Sequence, residues 1–237
     1  MTIICKNCGA EVTGNYCAVC GHPALLKRID AHYVMHEMAH VLHVEHGILY
    51  TVRSLLLEPG KSVRVYLTEN RSKLVKPIIF IILTSLLYSM TINLFHIDQS
   101  FVRFEGGKST AFSIFKWIST HYGYASILMG IFIAGWLRLF FRKAVYNVFE
   151  ILLLLCFVIG ISMLIYAAFA LIQGIIGINL LSIGGLVGIL YCSWAIGQFY
   201  GNLGLGRYIK AFLAYMLGMT SFVVTALLIG FLIDAIR

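Results

Sequence analysis

Four cysteines within the first twenty residues carry the clearest chemistry in the chain. They form two repeated units, Cys5-Lys6-Asn7-Cys8-Gly9 and Cys17-Ala18-Val19-Cys20-Gly21. In such a knuckle the turn aims backbone amides at thiolate sulfur, and the glycine relieves the tight bend. Four thiolates suit a closed tetrahedral zinc site, so Cys5, Cys8, Cys17 and Cys20 are the expected ligands and Zn2+ the expected cofactor. A segment this small holds too little core to fold without metal. The competing reading is four free or disulfide-linked thiols in a tail. No apolar signal stretch precedes the pairs, which places them on a reducing side and favours metal over disulfides. A site with four protein ligands has no open position for a substrate, so its expected role is structural or recruiting.

The second constellation is histidine. His32, His36, His40 and His43 would share an arc of about 80° on a helix turning 100° per residue. Inside that stripe, His36-Glu37-Met38-Ala39-His40 matches the His-Glu-X-X-His pattern of zinc proteases, in which two histidines hold the metal and the glutamate is the general base. Successive steps of four residues rise about 6 Å, so one ion reaches two of these imidazoles and needs a third ligand from elsewhere. His36 and His40 are the best pair for a second metal, and Glu37 is the only candidate for catalysis. A five-residue pattern with three fixed positions arises easily in a histidine-rich helix. A packed polar seam is therefore the favoured reading of the stripe, ahead of a non-catalytic second site and of a hydrolase.

These motifs precede a chain of a different character. Of the 237 residues, 60% are hydrophobic and 12% charged, against roughly 45–50% and 25% in soluble domains. Such a balance excludes an ordinary soluble globule, and the 16 Phe and 13 Tyr exclude disorder. What remains is an all-α integral membrane protein. Three regions follow: a zinc ribbon at 1–24, an amphipathic, His-rich and basic juxtamembrane region at 25–76, and a transmembrane domain at 77–237. Five apolar runs are expected to span, at 77–95, 124–141, 148–172, 178–199 and 209–233. The second is the weakest, because Arg138 lies one turn from its end. Pro59-Gly60 marks a break between two short amphipathic helices at the membrane interface. Gly184-X-X-X-Gly188 and Gly185 are expected to permit close helix packing. Cys156 and Cys192 are expected in the core.

Charge supplies orientation. The formal net charge is +8. Nine basic residues precede the first run, Arg138, Arg142 and Lys143 lie at or beyond the end of the second, and Arg207 and Lys210 lie at or before the entrance of the last, against four on the opposite face. Basic residues collect on the cytoplasmic side, so the N-terminus is expected inside and the C-terminus outside, with no nucleic acid needed to explain the excess. Lys61, Arg64, Arg71, Lys73 and Lys76 stand before the first span, where each gains about 1 kcal/mol from anionic headgroups. The bilayer surface is thus one expected partner, and a protein held by the ribbon is the other.

The run of cysteine pairs, Arg28-Ile29-Asp30, the histidine stripe, Gly47-Ile48-Leu49-Tyr50-Thr51, Pro59-Gly60, Arg64, Arg71 and Pro77 resembles an uncharacterised bacterial membrane family, domain of unknown function 3667. The resemblance covers residues 5–95 and implies a bacterial inner membrane, with no activity attached. Relatives often carry aspartate at the place of Glu37, a poor substitute for a general base. They also carry a basic glycine-containing step where this chain has Thr68-Glu69-Asn70. The expected function is a non-enzymatic scaffold or membrane-organising component that recruits through its ribbon. A lipid-handling or transport protein is the alternative, and a hydrolase using Glu37 the less favoured one.

Overall fold

The computed structural model describes residues 3–24, 47–97, 110, 113–114, 117–118, 122–201 and 204–236. The histidine stripe, with His36, Glu37 and His40, lies outside the described residues, as does most of the loop between the first two apolar runs.

The N-terminal module is a two-stranded antiparallel hairpin followed by a second turn. Strand β1 (Ile3–Ile4) pairs with β2 (Glu11–Val12), in the register Ile3 to Val12 and Ile4 to Glu11. Each knuckle closes in the same way. The Gly9 amide donates to Cys5 O at 2.9 Å and the Gly21 amide to Cys17 O at 2.8 Å. Both glycines are left-handed, with φ of 77° and 69°, a conformation that costs glycine nothing. Among the described residues, the apolar core here is Cys5, Val12 and Cys17, with Ala10 and Ala24 beside them.

Two short helices follow, α1 (Ile48–Leu57) and α2 (Pro59–Thr68). The expected break falls at Glu58, which ends one helix and begins the other. Pro59 stands at the first position of α2, where its missing amide costs no helical hydrogen bond. The two helices do more than lie on a surface. Their buried side chains Leu55, Val63, Tyr66 and Leu67 join the same core as the spans. The Tyr191 hydroxyl donates to Leu55 O at 3.0 Å, and the Val75 amide donates to the buried Thr51 hydroxyl at 3.0 Å.

Among the described residues five longer helices follow: α3 (Pro77–Leu94), α4 (Tyr122–Phe140), α5 (Val148–Ile176), α6 (Leu181–Phe199) and α7 (Leu205–Ile236). Four of them are long and apolar enough to cross a membrane; the apolar stretch Tyr124–Phe140 within α4 is shorter. Counting five spans therefore depends on α4, which packs against α7 and α5 in the same bundle. Arg138, exposed near the end of α4, donates to Tyr146 O at 3.2 Å. It thereby holds the loop that follows α4. Large apolar side chains face outward along the spans, among them Leu86, Met90, Leu186, Leu228 and Phe231. That is the pattern of lipid-facing surface.

Helix α5 is the hub. In its most apolar stretch 67% of residues are buried, against 17% for α7. It starts at a capping box in which Asn147 and Glu150 satisfy each other's amides at 2.8 Å. It ends at Gly177, left-handed with φ of 76°, one turn beyond the expected stop. Aromatic rings fill the seam between α3, α5 and α2, with Phe80 5.9 Å and Tyr66 5.3 Å from Phe157. Cys192 is fully buried and Cys156 partly so.

The glycines of α6 divide by face. A Cβ on Gly184 would meet Phe169 at 2.9 Å and one on Gly188 the Ser162 hydroxyl at 2.8 Å, whereas Gly185 has nothing within 4 Å. Packing, rather than a pathway, accounts for the first two. Gly188→Leu is expected to cost about 1–3 kcal/mol through overpacking, read as a fall in melting temperature in detergent. Gly185→Leu should stay within about 0.5 kcal/mol of the parent. Equal effects of the two substitutions would contradict this assignment of faces.

Candidate metal centre

The two knuckles bring Cys5, Cys8, Cys17 and Cys20 together, with all four Sγ atoms within 4.8 Å of one another. Cys5 and Cys20 sulfurs are 3.5 Å apart, and Cys8 and Cys17 sulfurs 3.6 Å. A disulfide needs about 2.05 Å. A tetrahedron with metal–sulfur bonds of about 2.3 Å has sulfur–sulfur edges of about 3.8 Å. The observed spacing therefore fits a shared ion and not a pair of bridges. All four are free thiols, Cys5 and Cys17 buried, Cys8 and Cys20 exposed.

The electrostatics agree with that spacing. The amides of Cys8 and Asn7 point at the Cys5 sulfur and hold its pKa down to about 6. The Cys20 and Val19 amides lower Cys17 in the same way. At Cys8 the Ala10 amide favours the thiolate, but the Cys20 thiol, burial, and the Cys17 and Cys5 thiols outweigh it and push the group up to about 12. The backbone thus favours the thiolate form at Cys5 and Cys17, whereas at Cys8 the neighbouring thiols resist it. A divalent cation among them removes that resistance.

The module is seated on the membrane domain by two hydrogen bonds. The His22 ring, just after the second knuckle, donates from Nε2 to Glu69 O at 2.9 Å. Asn70 Nδ2 donates to Asn7 Oδ1, inside the first knuckle, at 2.6 Å. Asn70 is fully buried, and its own Oδ1 accepts from the Ser72 amide and hydroxyl at 2.9 and 2.6 Å. The seat is thus the turn between α2 and α3.

A second junction fixes α2 to the far end of α6. The Gly60 amide donates to Gln198 Oε1 at 2.7 Å, and Arg64 donates to the carbonyls of Gln198 and Phe199, the latter at 2.8 Å. The carbonyls at a helix C-terminus lack helical partners, and a guanidinium satisfies them well. Arg64, expected at headgroups, acts here as a helix cap. Sequence reasoning found the four cysteines and missed His22, Asn7, Asn70 and Gln198. The one available signal was the departure at Thr68-Glu69-Asn70, which is where the cysteine-rich module rests.

Fold and site together define an all-α membrane-like protein with a cysteine-rich module able to hold a metal ion. Residues 45–89 match the model of a family described as a protein of unknown function, DUF3667, which bears out the resemblance over that segment. The match contains α1, α2 and most of α3, including the seat of the N-terminal module at Glu69 and Asn70. No curated protein and no solved structure matches the chain.

Proposed function

We propose that this protein is a non-enzymatic component of a bacterial inner membrane, a scaffold or membrane organiser whose zinc-loaded ribbon recruits a protein partner. The observation that carries the reading is the ribbon itself. Its four thiolates would fill a zinc ion's coordination and hold the two knuckles together, while Ile4, Tyr16 and Val19 are 67%, 68% and 75% exposed. Three large apolar side chains exposed on so small a module offer apolar contacts to another protein. The membrane domain supports the same view, because helices α3 and α6 contain no charged residue and α5 only Glu150, in its capping box.

In this reading the N-terminus is cytoplasmic and the C-terminus outside. A reporter fused after residue 105 should signal from outside and one fused after 144 from the cytoplasm; the reverse pair would overturn the orientation. Recruitment is tested by capture from membranes with the full chain and with Tyr16→Ser/Val19→Ser. A partner retained by both, in equal amounts, would exclude this face.

Lipid handling is the second reading, favoured by one feature. An open, apolar groove of about 390 Å³ runs along α4 beside Ile131, Phe132, Gly135, Trp136 and Leu139. It is lined by a single helix, which suits an acyl chain lying against the protein more than one carried through it. Lipid movement between leaflets of proteoliposomes at a rate above that of empty liposomes would favour this reading over the scaffold.

A further inference from the structure

A cleft of about 360 Å³ opens between α1 and α2. Tyr50, Arg53, Ser54 and Leu57 line one wall, and their spacing places them on one helical face. Lys61, Val65, Lys73 and Leu74 line the cleft as well. Glu58 also lines it and pairs with Lys61 at 2.8 Å. The Ser62 hydroxyl is directed at Ser54 O, 3.1 Å away. Arg53 and Lys73 thus remain as the cations that, among the described residues, no ion pair occupies.

We propose that this cleft is a phospholipid headgroup site, in which Arg53 and Lys73 hold the phosphate of one anionic lipid. A planar guanidinium can bind two phosphate oxygens at once, and a lysine ammonium adds a point charge. The cleft is of the size that encloses a small ligand. Its walls are not those of a site for free phosphate. Leu57 and Tyr50 are 64% and 55% exposed at its edge, and apolar surface beside a phosphate site suits a glycerol backbone and the start of an acyl chain. Depth agrees as well. Lys73 stands four residues before Pro77, where the first span begins, so at most about 14 Å of chain separates the cation from the apolar core of the bilayer. The inference rests on the general attraction to anionic headgroups read from the sequence, and adds to it a site with a stoichiometry.

The test uses the full chain in detergent, with native mass spectrometry as the readout and phosphatidylglycerol as the probe. The wild type should retain one lipid per chain. Arg53→Gln/Lys73→Gln should weaken retention by about tenfold or more, the loss of at least one charge-assisted contact. Arg53→Lys/Lys73→Arg, which keeps both charges, should restore most of it and shows that the chain still folds. Arg142→Gln/Lys143→Gln, which removes the same charge outside the cleft, should change nothing. Equal weakening by that control would leave a diffuse headgroup attraction and overturn the site. Failure of the wild type to retain any anionic lipid would remove the broader attraction too. Displacement of the lipid by inorganic phosphate at millimolar concentration would assign the site to the free ion and overturn the lipid assignment.

Discussion

Replacing Cys5 and Cys17 together with serine should lower the zinc content expected of the proposed site from about one equivalent per chain to less than about a tenth, because a structural site supplies about 10–16 kcal/mol and two ligands cannot hold it. The consequence reaches beyond metal content. Among the described residues, Cys5, Val12 and Cys17 make up the buried core of the N-terminal module, so two of these three would serve as ligands as well. In the proposed zinc-loaded state, loss of the ion would remove both the cross-link between the knuckles and the counter-charge for four sulfurs that stand within 4.8 Å of one another. The hydrogen bonds from His22 to Glu69 and from Asn70 to Asn7 then lose their geometry. Amide exchange at residues 5–22 should rise to the rate of an unfolded chain, while the helical content of the bundle, which has a core of its own, stays unchanged. Full zinc content in the double variant would show that the ligands lie elsewhere.

The largest single effect on stability is expected at Gly60. Any Cβ there would overlap the main chain of Gln198 and Phe199, and backbone cannot move aside as a side-chain tip can. Gly60→Leu must therefore lift α2 from the end of α6. Separation removes the Gly60 bond to Gln198 and both Arg64 bonds to the α6 carbonyls, and it opens the seam around Tyr66. Overpacking and the loss of charge-assisted hydrogen bonds together should exceed about 3 kcal/mol. Arg64→Ala removes only the hydrogen bonds of the cap and should cost about 1.5–3 kcal/mol. Thermal unfolding of both in one detergent gives the comparison, and a Gly60→Leu protein as stable as the parent would refute the close contact.

Much of this architecture was legible because its causes are local. Cys-X-X-Cys-Gly spacing dictates a knuckle whatever surrounds it, and Pro59 after a helical stretch dictates a new start. Apolar runs of span length announce themselves by composition. The ends were less legible, since Gly177 lies one turn past Gln173, whose side chain holds the Leu180 and Leu181 amides at 2.9 and 3.0 Å. A polar residue there looks like an exit from the membrane but serves as a turn. What could not be read were pairings over long separations. Nothing at Asn7 points to Asn70, 63 residues on. Arg64 has the composition of a headgroup anchor, and only the fold presents it with the carbonyls of α6. The same residue type suits both roles, and the choice between them is made by topology.

That topology also orders events in time. Gly60 and its acceptor Gln198 are 138 residues apart, and at synthesis rates of about 5–20 residues per second the second follows the first by roughly 7–28 s. Over that interval α2 has emerged and α6 has not, so Val63, Tyr66 and Leu67 have no helix end to close on. A nascent chain in this state carries an apolar hairpin beside an already inserted first span. Its safe passage depends on what shields the hairpin until the helix that caps it has entered the membrane.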